Sequence, residues 1–79
     1  MKEEKNFQMN PSILLDVVKM PMPYGKYKGV LICNLPDYYL EWYFRKGFPD
    51  GKLGMLLHTI YEIKLNGLMY LLDPIKKMR

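Results

Sequence analysis

Met22-Pro23-Tyr24-Gly25-Lys26-Tyr27-Lys28-Gly29-Val30-Leu31-Ile32 is the stretch on which the fold class turns. Two short apolar or aromatic pieces flank a turn bounded by Gly25 and Gly29, and glycine supplies the positive-φ freedom that tight turns need. The pattern predicts a β-hairpin. A lone two-stranded hairpin is marginal in water, so one face of it is expected to pack on helices.

Helical patterns lie on both sides. Upstream, Asn10-Pro11 supplies an N-cap and a first-turn proline. Ile13, Leu14, Val17 and Val18 then share one side, and Pro21 and Pro23 force a stop near Met20. Downstream, Pro36 to Lys46 carries a charged stripe of Asp37, Glu41 and Arg45, with Glu41 and Arg45 in the favourable order for an i,i+4 pair. Tyr39, Leu40, Trp42 and Tyr43 lie broadly opposite, and Gly47 ends the helix. After the Phe48-Pro49-Asp50-Gly51 turn, Leu53, Leu56, Leu57, Ile60 and Ile63 form one apolar face, with Met55, His58, Thr59, Glu62 and Asn66 on the other side. Asn66-Gly67 is a stop signal, and Leu68 to Leu72 reads as one further turn before Asp73-Pro74. The expected architecture is α+β: a single small domain over 10–79, a short hairpin against about three helices, preceded by a flexible segment over 1–9.

Seventy-nine residues make one domain with a thin margin of stability. One cysteine excludes an internal disulfide, and one cysteine with one histidine argues against a structural zinc site. No cofactor is implied. A content of 49% hydrophobic and 14% aromatic residues favours a good core, with self-association as the other route to stability. No apolar run reaches the ~18–20 residues of a membrane span. Met1 to Met9 lacks the apolar core of a secretory signal, so a cytoplasmic setting is expected, consistent with a reduced lone thiol.

The net charge of +4 invites an acidic partner, although Lys76, Lys77 and Arg79 sit in a tail where charge often serves solubility. The turn is the sharper feature. Lys26 and Lys28 flank Tyr27, with Tyr24 just before, so cations can neutralise phosphates while an aromatic stacks on a base. Backbone N–H groups of such a turn can also face an anion. The plainer alternative is a hairpin with solvated lysines and tyrosines packed on the helices. Arg45, Lys46 and Lys52 flank the next turn and would extend a basic patch if the fold brings them beside Lys26 and Lys28; Lys46 also complements the helix dipole. The expected nucleic-acid-binding set is therefore Tyr24, Lys26, Tyr27, Lys28, Arg45, Lys46 and Lys52, with DNA or RNA as partner.

Other candidates are weaker. His58 and Glu62, four apart, suit an exposed hydrogen-bonded pair better than a metal site, since no further ligand is indicated. Lys64 falls within an apolar arc and needs to snorkel or to pair with Asp73, Asp37 or Glu41. Cys33 is expected to be a small buried thiol, and Trp42 with Tyr38, Tyr39 and Tyr43 to belong to the core. No catalytic triad, paired catalytic carboxylates or nucleotide fingerprint emerges, which argues against an enzyme.

Met22 to Gly29, Leu35-Pro36-Asp37-Tyr38-Tyr39-Leu40-Glu41-Trp42, Gly51-Lys52-Leu53-Gly54 and Tyr61 to Leu68 together resemble the small bacterial proteins called putative quorum-sensing-regulated virulence factors. The resemblance runs from about Val18 to Leu72; the family name describes expression control and implies little about mechanism. The shorter part from Pro23 to Lys46 is similar to a module appended to some proofreading-type exonucleases. That similarity implies an accessory role in DNA or RNA metabolism, without nuclease residues. Tyr24 stands where that pattern more typically has Phe. The rival expectation is a protein-interaction or homodimer module using the aromatic helix or the surface around Met55 and Met69.

Overall fold

The computed structural model describes residues 11–78. The expected flexible segment over 1–9, the Asn10 cap and Arg79 lie outside them. Among the described residues four helices carry the fold: α1 (Pro11–Lys19), α2 (Asp37–Lys46), α3 (Gly51–Leu65) and α4 (Asp73–Met78). Single turns of 3-10 helix at Ile32–Asn34 and Met69–Leu72 link them.

The expected hairpin is absent, and the class is all-α with no strand among the described residues. The chain does reverse between Met20 and Ile32, held by one antiparallel bridge, Pro21 to Leu31. Ile32 N–H donates to the Met20 carbonyl at 3.0 Å and Met22 N–H to the Val30 carbonyl at 2.8 Å. A ladder would next need Val30 N–H to donate to the Met22 carbonyl. Instead Val30 N–H turns back to the Tyr27 carbonyl at 2.9 Å, and Gly29 N–H takes the Met22 carbonyl at 2.9 Å. Gly29 N–H thus occupies the acceptor that the ladder needs next, and at the other end Ile32 already enters the 3-10 turn. The local preference for extended backbone is thus spent on a loop closed by one bridge.

α3 is the centre, packed against both α1 and α2. Leu56, Leu57, Ile60 and Ile63 are fully buried on it, against Val17 and Val18 of α1, Leu40 of α2, and Ile32, Leu35 and Leu72 from the connections. Thr59, expected on the outer side, is buried too. Its hydroxyl donates to the Met55 carbonyl at 2.7 Å, which satisfies the one polar group it brings inside. Cys33 is buried as expected, with Sγ 3.8 Å from the Val18 carbonyl oxygen.

At the N-terminal turn of α3, Gly54 is buried directly against the Pro49 carbonyl, so close that a Cβ there would lie 1.6 Å from the oxygen. α2 ends as expected, with Gly47 N–H donating to the Tyr43 carbonyl at 2.7 Å. α4 departs from expectation: Asp73-Pro74 starts a helix, as a first-turn proline permits, and that helix packs on α1. Among the described residues, ion pairs tie α2 to α3 and α1 to α3 at the surface. Lys64 reaches Asp37 of α2 at 3.0 Å, one of the three partners its position suggests. Lys52 reaches Asp16 of α1 at 2.9 Å. Partly exposed pairs of this kind contribute about 0–1 kcal/mol each, so the core decides the stability.

Candidate nucleic-acid interface

The basic turn is laid against α2 by aromatic contacts. Lys28 N–H donates to the Gly25 carbonyl at 3.1 Å, closing the turn. Gly25 has φ +85°, a conformation that favours glycine, and a Cβ there would press on the Tyr39 hydroxyl at 3.2 Å. The Tyr27 ring meets Tyr39 edge-on at 4.7 Å and Tyr38 at 6.3 Å, and the Tyr27 and Tyr38 hydroxyls are hydrogen-bonded. Such edge contacts contribute about 0.5–1.5 kcal/mol beyond burial. Tyr27 is therefore half-buried and supports the turn, while Tyr24 stays exposed.

Along α2 the rings continue. Tyr39 and Trp42 are nearly parallel, 5° apart in plane with centroids at 6.3 Å. Tyr43 meets both edge-on, at 5.3 Å and 5.0 Å. Tyr24, Gly25, Lys26, Tyr38, Tyr39, Trp42, Tyr43 and Arg45 line an open concavity of about 640 Å³. Its walls are mainly aromatic. The charged groups lining it are Lys26 and Arg45, and no carboxylate lines it.

The cations already lean on the rings. Lys26 Nζ lies 5.6 Å from the Tyr27 centroid and 5.7 Å from that of Tyr38. Lys46 Nζ lies 5.4 Å from the Trp42 centroid. Of the seven residues expected from sequence, Tyr24, Lys26 and Arg45 line the concavity, Lys46 sits at its edge over Trp42, and Tyr27 lies behind it. Lys28 is exposed in the same turn but does not line it. Lys52 is engaged by Asp16 at the α1–α3 contact.

Sequence reasoning missed Tyr38 and Trp42, assigned to the core but 56% and 47% exposed. A signal was present. Leu40 is the one aliphatic residue between Asp37 and Lys46, and the aromatics 38, 39, 42 and 43 recur four apart beside it. One leucine anchors the helix, so the aromatic stripe is free to form a surface.

Burial and then the neighbouring Tyr39 hydroxyl push the Tyr43 phenol above its ordinary value, with the Tyr24 hydroxyl working the other way. A phenol whose folded-state pKa is raised stabilises the fold fully below the unfolded value of about 10, and loses that contribution as pH rises through the folded one. The protein is expected to lose stability above about pH 10, and Tyr43→Phe to lessen that loss. Urea unfolding at neutral and alkaline pH measures this; an identical alkaline loss in the variant would refute it.

His58 and Glu62 pair as expected, with Nε2 3.4 Å from Oε2, but Glu62 is half-buried and only His58 is exposed; His58 also stacks on Phe48 at 5.1 Å. No group of three potential metal ligands occurs among the described residues. No helix among them is long and apolar enough to cross a membrane.

Comparison with known proteins matches residues 10–75 to the family described as "Putative quorum-sensing-regulated virulence factor". Two curated relatives, both called "Uncharacterized protein YpeB", come from Escherichia coli K12 and Escherichia coli O157:H7. Each is 43% identical over 70 residues, covering 87% of this chain and 97% of the relative. No solved structure matches.

Proposed function

This chain belongs to the putative quorum-sensing-regulated virulence factor family, and we propose that it acts as a non-enzymatic nucleic-acid-binding module. The observation that carries this reading is the concavity, whose aromatic walls carry Lys26 and Arg45 with Lys46 at the edge and no carboxylate. Cations bind phosphates, and open aromatic rings supply stacking surface. The accessory role implied by the likeness to an exonuclease-appended module is one setting for such binding.

Three cations on a single strand give a salt slope, log K against log salt, of about −2. Lys28 would add to that slope by joining the phosphate contacts. Fluorescence anisotropy of labelled oligonucleotides between low and physiological salt tests this, with Lys26→Ala/Lys28→Ala checked for folding alongside. Salt-sensitive binding weakened in the variant supports the reading, and affinity unchanged across salt rejects it.

A second reading, a surface for a protein or a second copy of the chain, draws on Phe44 and Leu65, both exposed apolar side chains, with Phe44 stacked on Tyr61 at 4.8 Å. It predicts a mass that rises with concentration in sedimentation and indifference to oligonucleotides.

A further inference from the structure

The concavity's composition narrows what it can hold, provided that the nucleic-acid reading stands. We infer that it takes an unstacked base of a single strand, with Trp42 and Tyr38 as the stacking platform and Lys26, Arg45 and Lys46 on the flanking phosphates.

The sign of the charge comes first. A box of tyrosines with a tryptophan is also the chemistry of a receptor for quaternary ammonium groups. Here Lys26 and Arg45 line the site and no carboxylate does, so a cationic ligand would be repelled. The complementary ligand is flat, apolar on its faces and anionic at its edges, as a nucleotide is.

The geometry then separates single strands from duplexes. In a duplex each base face is covered by its neighbours, and the grooves offer only edges. The rings of α2 could reach no base face there, so the stacking contribution is lost and only phosphate and base-edge contacts of the cations remain. A single strand can turn a base out onto Trp42, which is half exposed and lies parallel to Tyr39 behind it.

The resting cations do not block this. An ammonium over an exposed ring is held by a factor of roughly 2 to 5, whereas a base stacked on an aromatic contributes a factor of about 5 to 150. The base therefore displaces Lys46 from the Trp42 ring and Lys26 from Tyr38. Both ammoniums have phosphates within the same ligand to move to, so the charge contribution is kept.

Trp42 is the chain's only tryptophan, so the site reports on itself. The purified protein is titrated at low salt with a single-stranded oligothymidylate of about eight nucleotides, a duplex of equal length, and inorganic polyphosphate. Trp42 emission is followed in each case, and binding is followed by anisotropy of labelled oligonucleotides. The inference expects saturable loss of Trp42 emission with the single strand alone. It also expects Trp42→Ala to weaken single-strand binding at least about 5-fold, to leave duplex binding unchanged, and Trp42→Phe to restore most of the loss. Half exposure of Trp42 lets both variants fold, which circular dichroism checks. Equal binding of all three polyanions with steady emission, undiminished in Trp42→Ala, would overturn the inference and leave a phosphate-only binder. No binding of any nucleic acid at low salt would overturn the nucleic-acid reading itself, and the inference with it.

Discussion

Gly54→Ala is expected to destabilise the protein by about 3 kcal/mol or more. In an exposed helix interior the same change would stabilise by roughly 1 kcal/mol, because alanine is the better helix former. Here the sign reverses. The new Cβ would lie 1.6 Å from the Pro49 carbonyl oxygen and 2.7 Å from its carbon. Both are backbone atoms, so no side-chain rotation relieves the clash. Either α3 lifts away from the Phe48–Pro49 segment or that segment moves, and α3 carries the core. For a domain of this size each kcal/mol shifts Tm by about 4–8 °C, so a fall of at least about 12 °C is expected in a thermal melt followed by circular dichroism. An unchanged or raised Tm would mean that the close approach of α3 to Pro49 is wrong.

Ile60→Ala is expected to cost a comparable amount, about 2–5 kcal/mol. Ile60 is fully buried on the helix that contacts both α1 and α2. Its truncation opens a cavity inside the core. The matched control is Leu65→Ala at the end of the same helix, where the side chain is 64% exposed and the change should stay within about 0.5 kcal/mol. Urea titrations of the two variants beside the unchanged protein measure the difference. Similar values for both would contradict the assigned inward face of α3.

Both sites bear on what the sequence discloses. The inward face of α3 follows from the spacing of Leu56, Leu57, Ile60 and Ile63, because burial and helical period act on the same residues. The ends of α1 and α2 are legible for a similar reason: Pro21 and Gly47 stop a helix through their own covalent structure. The Met20–Ile32 reversal is different. Whether it becomes a hairpin depends on where the Val30 N–H goes, and that choice is made by the turn folding back on Tyr27. Composition sees extended-backbone preference and cannot see this competition. The face of Thr59 is obscured by its hydroxyl, which looks polar in sequence but is satisfied within the helix.

The candidate site is legible in part for the same reason. Tyr24 and Lys26 are separated by Gly25 alone, and a tight turn places them together. Arg45 joins them only because Tyr27, Tyr38 and Tyr39 fix the turn against α2. Lys52 looks equivalent to Arg45 by charge and spacing, yet Asp16, distant in sequence, draws it to the α1 side. Charge counts on a linear chain do not say which cations share a face.

Cys33 gives the protein an internal clock. Its thiol is buried in the seam between the 3-10 turn and α1, and a thiol reacts only when a reagent can reach it. Modification of the native protein therefore counts openings of that seam. If the rate falls with added osmolyte in step with global unfolding, the seam opens only with the whole core. If it outruns unfolding, the reversal and its 3-10 turn peel away first, and the surface they help to build breathes on its own timescale.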